Sequence, residues 1–386
     1  MAGTVAVRPI FDTEHESFRD SVRSFVDRHL KPVHQEAIDN HHLARDLWRE
    51  AGKQGLLGLS VPEEYGGSGA SDYRFSAILT EELSSLSAAA ASAFSMHYDV
   101  AAPYLIELAT EEQRTRWLPE FCSGEIVTGV GMTEPSGGSD LAALKTTATK
   151  TDSGWLMNGS KTFITNGGSA DLVIVAARTG PGPRAKGISL FAVDASLPGF
   201  RRGRTLDKVG QPESDTAELF FDDLELDDSA LLGEVGRGFV YMMERLPQER
   251  LCCAVSNVAH VRAILDETIG YARERHAFGQ PIGAFQHNKF LLAELITKVD
   301  VTQSFVDECI VEHAGGHLTA VKAAKAKWWT AQVQNEVLDS CVQLFGGYGY
   351  MTEYRVARAW MDARVTKIWA GSNEIMKELI GRDLGF

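Results

Sequence analysis

Apolar positions recur along the chain with two different periods, and the change of period divides it into three. Phe18, Val22, Phe25, Val26 and Leu30 fall three or four residues apart, which is helical spacing, and residues 11 to about 125 read as helix throughout. The run TEELSSLSAAAASAFSMHYDVAAPYLIELA (80–109) is nearly uncharged over most of its length. A helix apolar all round is one buried on several sides. Thr110 and Gln113 form a Thr-x-x-Gln capping box at the head of the next helix. The stretch GLLGLSVPEEYGGSGAS (55–71) is glycine-rich but has neither a Walker lysine nor GxGxxG, so it reads as a connecting loop rather than a phosphate cradle.

Near residue 126 the period shortens. DLVIVAART (171–179), GISLFAVDA (187–195) and TAELFFDDLEL (216–226) are short β-branched or aromatic runs bounded by Gly, Pro and Asp, and they predict strands. GWLMNGSKTFITNGGSA (154–170) predicts a hairpin turning at Asn158-Gly159. The loop TGPGPRAKG (179–187) reads as a solvated hairpin tip. From 236 to the end the helical period returns in four segments, which is the pattern of a four-helix bundle. The expected fold is α+β and multidomain: an N-terminal helical domain (1–125), a middle β-barrel domain (126–235) and a C-terminal four-helix bundle (236–386).

Composition narrows the function classes. The 386 residues carry a formal net charge of -14, which argues against nucleic acid as the main partner. An anionic small molecule in a local basic pocket stays open. The five cysteines are odd in number and form no CxxC pair, so they read as reduced core thiols in a reducing compartment. No other donor stands at ligand spacing from a cysteine or from His41 and His42, and no metal site is expected. The N-terminal stretch lacks the charged-then-apolar order of a signal peptide, and no apolar run reaches the length of a membrane span. The expected location is cytoplasmic.

The common catalytic motifs are absent: no GxGxxG, P-loop, GxSxG or HExxH occurs. Chemistry is therefore sought in four less familiar places. GVGMTEPSGGSDLAAL (129–144) offers Thr133, Ser139 and the bare amides of Gly137-Gly138, which suit the edge of a polar ring or a diphosphate. With it, as part of the same first place, KTFITNGG (161–168) offers a Phe-Ile-Thr that could lay a ring edge against a heterocycle. MMERLPQERLCCAV (242–255) sets Glu249 and Arg250 against an apolar wall. Such a wall disfavours the charged carboxylate and raises its pKa, as a general base near neutral pH requires. Arg250 is placed to orient that base or to hold a polar group of a substrate. On pattern alone, an exposed charge pair is the plainer reading of Glu249 and Arg250. Pro247 removes one helical hydrogen bond just before them, which favours the functional one. ARERHAFGQPIGAFQHNK (272–289) offers Arg273, Arg275, Phe278 and Gln286. Last, SCVQLFGGYGYMTEYRVARAWMDARVTKIWAGSNE (340–374) breaks a helix at its glycine-rich LFGGYGY and leads into the turn IWAGSNEIMKELI (368–380), which places Gly371 and a capping Ser372 at the head of a helix.

Taken in order, GLSVPEEYGGSG, GMTEPSGGSD, KTFITNGG, ERHAFGQPIGAFQ, CVQLFGGYGY and IWAGSNEIMKELI resemble the signatures of the acyl-CoA dehydrogenase family along essentially the whole chain. The resemblance implies the α, β, α domain order inferred above, FAD as cofactor and a homotetramer. It implies an acyl-CoA substrate, oxidised at C2–C3 to the trans-2-enoyl-CoA, with electrons passed to an electron-transfer flavoprotein. Met132, Thr133 and Ser139 match the loop bordering the flavin, as do Phe163, Ile164 and Thr165. Arg275, Phe278 and Gln286 match positions that contact FAD, often from a neighbouring subunit. Gln343, Leu344, Gly346 and Gly347 do likewise, and Ser372 and Glu374 match the adenosine and diphosphate side. Ser139, Arg250 and Gly371 are expected on the substrate side.

One position departs from the commonest pattern. Most members carry the basic glutamate immediately before the glycine of the last signature, where this chain has Ala370. The long-chain and isovaleryl type places it instead in a segment like LPQERL, and Glu249 matches that position. Ala370 would then leave room for a long or branched acyl chain. An oxygen-using oxidase or monooxygenase on the same scaffold, and a flavin-binding protein without turnover, are the alternatives.

Overall fold

The structure is a computed structural model that describes residues 8–180 and 185–386. Seven α-helices lead: α1 (Thr13–Phe25), α2 (Lys31–Asn40), α3 (Arg45–Lys53), α4 (Tyr73–Leu86), α5 (Ala88–Ser95), α6 (Ala102–Glu107) and α7 (Glu111–Ser123). The capping box at the head of α7 is present in full. Thr110 N donates to Gln113 Oε1 at 2.6 Å, and Gln113 N donates to Thr110 Oγ1 at 3.3 Å. Between α5 and α6 the chain widens into a π-helical turn, Met96–Ala101, a local irregularity often found where side chains are re-aimed for function.

The sheet comprises β1 (Thr128–Gly131), β2 (Thr147–Thr151), β3 (Gly154–Thr165), β4 (Leu172–Arg178), β5 (Ile188–Asp194), β6 (Phe200–Thr205), β7 (Thr216–Leu226) and β8 (Leu231–Leu232). Their order is β6-β7-β3-β2-β4-β5-β8, with β1 parallel to β4. β2 and β4 meet through a single pair, Thr147 with Arg178, and there the sheet bends. Trp155, Met157, Val173, Val175, Phe191, Val193, Leu219 and Phe221 converge on one inner core, so the strands curl around a barrel interior. The outer faces of β4 and β5, through Ile174, Ala176 and Leu190, bury against Tyr104, Leu105, Leu118 and Phe121 of the helical part. Buried on both faces, these two strands read as unbroken apolar runs rather than alternating ones.

The hairpin expected at Asn158-Gly159 is corrected. β3 runs unbroken from Gly154 to Thr165, and the turn lies earlier, where Thr151 pairs with Gly154. Gly159 is needed for a different reason. It has φ of 145°, and a Cβ there would lie 2.6 Å from Thr146 Oγ1, so it marks a bulge and a close strand approach. Asn158 spends its side chain on Asp223, donating Nδ2–H to Oδ1 and accepting from the backbone N–H, each at 2.9 Å. Of the expected tip at 179–187, residues 181–184 lie outside the described residues.

The C-terminal part is built on α8 (Gly238–Glu274), α9 (Gln286–Ala314) and α10 (Ala320–Phe345), closed by the shorter α11 (Arg355–Ala363) and α12 (Asn373–Asp383). Leu251, Val255, Val258, Ile264, Val299, Val306, Val333 and Val337 form their shared core. Tyr241 and Met242, at the head of α8, pack instead with the sheet and the first helices. One helix therefore spans the junction of all three parts. Cys122, Cys252, Cys309 and Cys341 are buried free thiols, and Cys253 is half-buried.

Candidate active site

Glu249 lies near that junction. Pro247 sits inside α8 two residues earlier and removes one backbone hydrogen bond from the turn. The Glu249 carboxyl faces α6, where Tyr104 Oη donates to its Oε1 at 3.2 Å. The residue keeps a partial opening to solvent, yet the protein crowded around its carboxyl dominates its chemistry. Desolvation pushes its pKa up to about 7; the Tyr104 bond and the charges of Arg250 and Arg245 pull the other way, and Asp99 adds to the rise. Arg245 is held off as an ion-pair partner. Its guanidinium lies over the Tyr104 ring at 5.0 Å and pairs with Glu107 at 2.6 Å.

A second buried carboxyl, Asp99, comes from the π-helical turn and is pushed up to about 6, again by burial. It accepts from Tyr73 Oη at 3.2 Å and from Gln248 Nε2 at 2.6 Å. Gln248 is the residue next to Glu249, so this node ties α4 and the π turn to the helix bearing the carboxylate. Arg250 follows on the other side. It is 6% exposed, and its Nε has no hydrogen-bond partner among the described residues. Burial lowers its pKa, opposed by the charge of Glu249.

The closing turn has unusual backbone. Ala370 and Gly371 have successive positive φ, 50° and 86°. Gly371 is the residue type such a conformation favours, whereas Ala370 adopts it at a steric penalty. Ser372 then caps α12, accepting from Ile375 N at 3.4 Å. Glu374 is exposed in the first turn of that helix, and its pKa is lowered by its own backbone N–H and by the Ser372 hydroxyl. Lys327 of α10 is fully buried and donates to Gly371 O at 2.6 Å. The Nε1 of Trp369 and the Oδ1 of Asn373 are buried without a partner among the described residues.

The remaining expected residues fall into two groups. On the sheet, Thr162 N donates to Thr133 O at 2.9 Å, which lays the loop carrying Met132, Thr133 and Ser139 beside Phe163, Ile164 and Thr165. Phe163 has φ of 59°, is 69% exposed and falls in a bulge of the β3–β7 ladder, while Ile164 beside it is buried. A buried ion pair supports this group from beneath. Lys161 Nζ donates to Glu134 Oε1 at 2.8 Å, and Glu134 also accepts from Lys145 N at 2.6 Å and Thr146 N at 2.9 Å.

At one end of the bundle, Arg275 lies over the Tyr348 ring at 5.6 Å. Phe278 occupies the tip of a two-residue hairpin, 96% exposed, with φ of 51°. Gln286 opens α9, and Gln343 and Leu344 end α10. A Cβ at Gly346 or Gly347 would meet open space. Tyr104, Asp99, Lys327 and the Glu134–Lys161 pair were not anticipated. The alternation of β3 offered a hint for Lys161, which falls on the inward side. Tyr104 and Lys327 carried no local signal: Lys327 is one of three lysines on α10, and only the packing of the fold distinguishes it from Lys322 and Lys325.

Fold and site together define a three-part scaffold whose junction holds two desolvated carboxyls, Glu249 and Asp99, with polar backbone presented from the sheet and the closing turn. Family models cover it end to end: acyl-CoA dehydrogenase N-terminal domain at residues 12–125, middle domain at 129–224 and C-terminal domain at 236–385. The long-chain specific acyl-CoA dehydrogenase of Sus scrofa mitochondria is 45% identical over 382 residues, spanning 98% of this chain and 88% of that protein. The mitochondrial isovaleryl-CoA dehydrogenase of Oryza sativa is 36% identical over 378 residues, 97% of this chain and 92% of its own. The crystal structure of an acyl-CoA dehydrogenase from Geobacillus kaustophilus superposes with a TM-score of 0.96 at 41% identity, covering 97% and 99% of the two chains. The chain belongs to the acyl-CoA dehydrogenase family, FAD-dependent oxidoreductases.

The residues present fit that cofactor. The bulge at Phe163 withholds backbone polar groups from the ladder, and the adjoining Thr133 loop offers hydroxyl and amide groups to a flat ring edge. Arg250 Nε, next to Glu249 in the chain, and Trp369 Nε1 and Asn373 Oδ1 at the closing turn add further buried donors and an acceptor without a partner among the described residues. No helix among the described residues is long and apolar enough to cross a membrane.

Proposed function

We propose that the protein oxidises a long-chain or branched acyl-CoA at C2–C3 to the trans-2-enoyl-CoA, with Glu249 as the base. One observation carries this reading. Glu249 is a carboxyl held by a single tyrosine hydroxyl in a desolvated site, poised at about 7. A carboxylate of that basicity accepts a carbon-bound proton at neutral pH far better than an exposed glutamate does. FAD, when bound, supplies the acceptor for the hydride leaving C3.

The chain's own groups do the rest. Glu249 removes the pro-R proton at C2. The backbone N–H groups of Ala370 and Gly371 have no acceptor among the described residues and are assigned to the thioester carbonyl, where negative charge grows as the proton leaves. Arg250 and Ser139 face the substrate. Met132, Thr133, Ser139, Phe163, Ile164 and Thr165 hold the flavin ring side. Gln343, Leu344, Gly346, Gly347, Ser372 and Glu374 serve the rest of FAD, joined by Arg275, Phe278 and Gln286 from a neighbouring subunit. The bare Phe278 supports that last assignment. Exposed Phe290, Val301, Leu384 and Phe386 support a homotetramer. Electrons go on to an electron-transfer flavoprotein. Free buried thiols suit a reducing compartment, and the cytoplasm is the proposed location.

The test uses purified enzyme with palmitoyl-CoA and isovaleryl-CoA under anaerobic conditions. Bleaching of the flavin, slow reoxidation in air and reduction of an artificial dye are expected. Rapid release of peroxide would make the protein an oxidase instead. A panel of chain lengths and branches then defines the substrate.

A further inference from the structure

Lys327 is the one fully buried lysine of the bundle, and the reaction as derived gives it no part. It sits on α10 among Ala323, Ala324, Ala326 and Ala331, all without solvent contact. A lysine ammonium offers three donors. Here its acceptor among the described residues is one backbone oxygen, Gly371 O at 2.6 Å. Burying an ammonium without a carboxylate partner is costly, so an apolar side chain of similar length would serve packing better. Burial disfavours the charged form of Lys327, the Arg250 charge adds to that, and the Glu374 carboxylate opposes it, while the neighbouring Cys253 thiol is pushed up to about 11 and stays neutral near neutral pH.

What the ammonium grips is the turn with two successive left-handed residues. Ala370 at φ of 50° has no intrinsic reason to stay there, since a non-glycine residue relaxes toward negative φ when free. The amides of Ala370 and Gly371 meanwhile have no acceptor among the described residues. A hydrogen bond from a rigid, buried helix to Gly371 O fixes the Gly371–Ser372 peptide plane, and through the Gly371 backbone torsions it restrains the two amides that precede it.

We propose that Lys327 is a positioning residue: by holding Gly371 O it locks the Ala370–Gly371 turn in the conformation that presents its amides to the thioester oxygen. This rests on the reading of that turn and of Glu249 given above. The lysine touches neither substrate nor reacting atoms, and acts through the backbone it pins.

The test reads enolisation at equilibrium rather than turnover. 3-Thiahexadecanoyl-CoA carries sulfur at position 3, so it has an acidic C2–H but no C3 hydrogen to transfer. On the flavin-loaded enzyme its C2–H bond breaks, the proton goes to the Glu249 carboxylate, and the electron pair remains on the ligand as an enolate. An enolate stacked on oxidised flavin gives a long-wavelength charge-transfer band. At fixed pH, Lys327→Met is expected to lower the enolate-to-neutral ratio about tenfold, as a misplaced donor does, with FAD content and ligand affinity close to wild type.

Ala370→Gly leaves the lysine in place and frees the turn differently, so it should lower the ratio less. The double variant should fall no lower than Lys327→Met alone, because both act on one element. A band in Lys327→Met equal to that of wild type overturns the inference alone. Loss of FAD from Lys327→Met also overturns it, by making the lysine part of the fold's integrity. Absence of any band in the wild type overturns the reading of the turn and Glu249, and the inference with it.

Discussion

Glu134 and Glu249 are both glutamates packed in protein, and their environments drive them in opposite directions. Glu134 is 4% exposed, yet its pKa is lowered. Burial pushes it up, and the Lys161 ammonium with two backbone N–H groups more than cancels that push. Glu249 is desolvated more strongly, the Tyr104 hydroxyl and the Arg250 and Arg245 charges offset only part of that push, and it rises to about 7. Desolvation and partners both differ, and the Lys161 ammonium with its two companion N–H groups decides the sign at Glu134. A carboxylate saturated with donors is an anchor, and one deprived of them is a base.

The sharpest way to break the comparison is to remove each charge. Glu249→Gln should cut dehydrogenation by about 10³-fold or more, since general-base catalysis is the step it carries. Folding stability at pH 8 should hold or rise, because a poorly compensated buried charge is gone. Glu134→Gln should do the reverse to the fold. It strands the Lys161 ammonium, and chemical denaturation should show a loss of about 3–5 kcal/mol. Pairing Glu134→Gln with Lys161→Met should recover much of that loss. Near-normal turnover in Glu249→Gln would remove the base.

The two residues also separate in the pH dependence of stability, by sign. Glu249 rises from an ordinary 4.5 to about 7 on folding, so the native state binds the extra proton. Its contribution is full below about 4.5 and disappears as pH climbs to about 7. Glu134 is depressed, so its contribution is present above its ordinary 4.5 and disappears as pH falls through the lowered value. Unfolding curves between pH 4 and 8 should therefore lose a falling component in Glu249→Gln. In Glu134→Gln the change should appear on the acid side.

How much of this was legible in the sequence follows from what local pattern can encode. The helices around Val22 and Val255 announce themselves because one buried face imposes a period on each. β4 and β5 do so as unbroken apolar runs. Asn158-Gly159 misled because the same dipeptide serves a tight turn and a strand bulge, and the choice was made by Thr146, the residue just before β2. By pattern Glu249 stood out as a carboxylate beside apolar residues just after Pro247, and the resemblance of LPQERL to the long-chain and isovaleryl type singled it out as the base. Its isolation from Arg245 is set by Glu107 and Tyr104, about 140 residues away in the chain. Lys327 gave no sign, since its meaning depends on a carbonyl in another segment.

The finest test of the comparison is to move Glu249 further along the same axis. Tyr104→Phe deletes the hydroxyl that donates to Oε1 and changes little else in volume. That hydroxyl is the largest influence holding the pKa down against burial, so without it the carboxyl should titrate above about 7. The base must be ionised to act, so the acid limb of the kcat/KM profile should shift to higher pH. Activity at pH 6 should drop several-fold, in line with a net hydrogen-bond contribution of about 1 kcal/mol. At pH 9 the variant should match wild type or exceed it slightly, because a stronger base remains once it is ionised. An unshifted limb with uniformly reduced activity would mean that Tyr104 orients the carboxyl rather than setting its basicity.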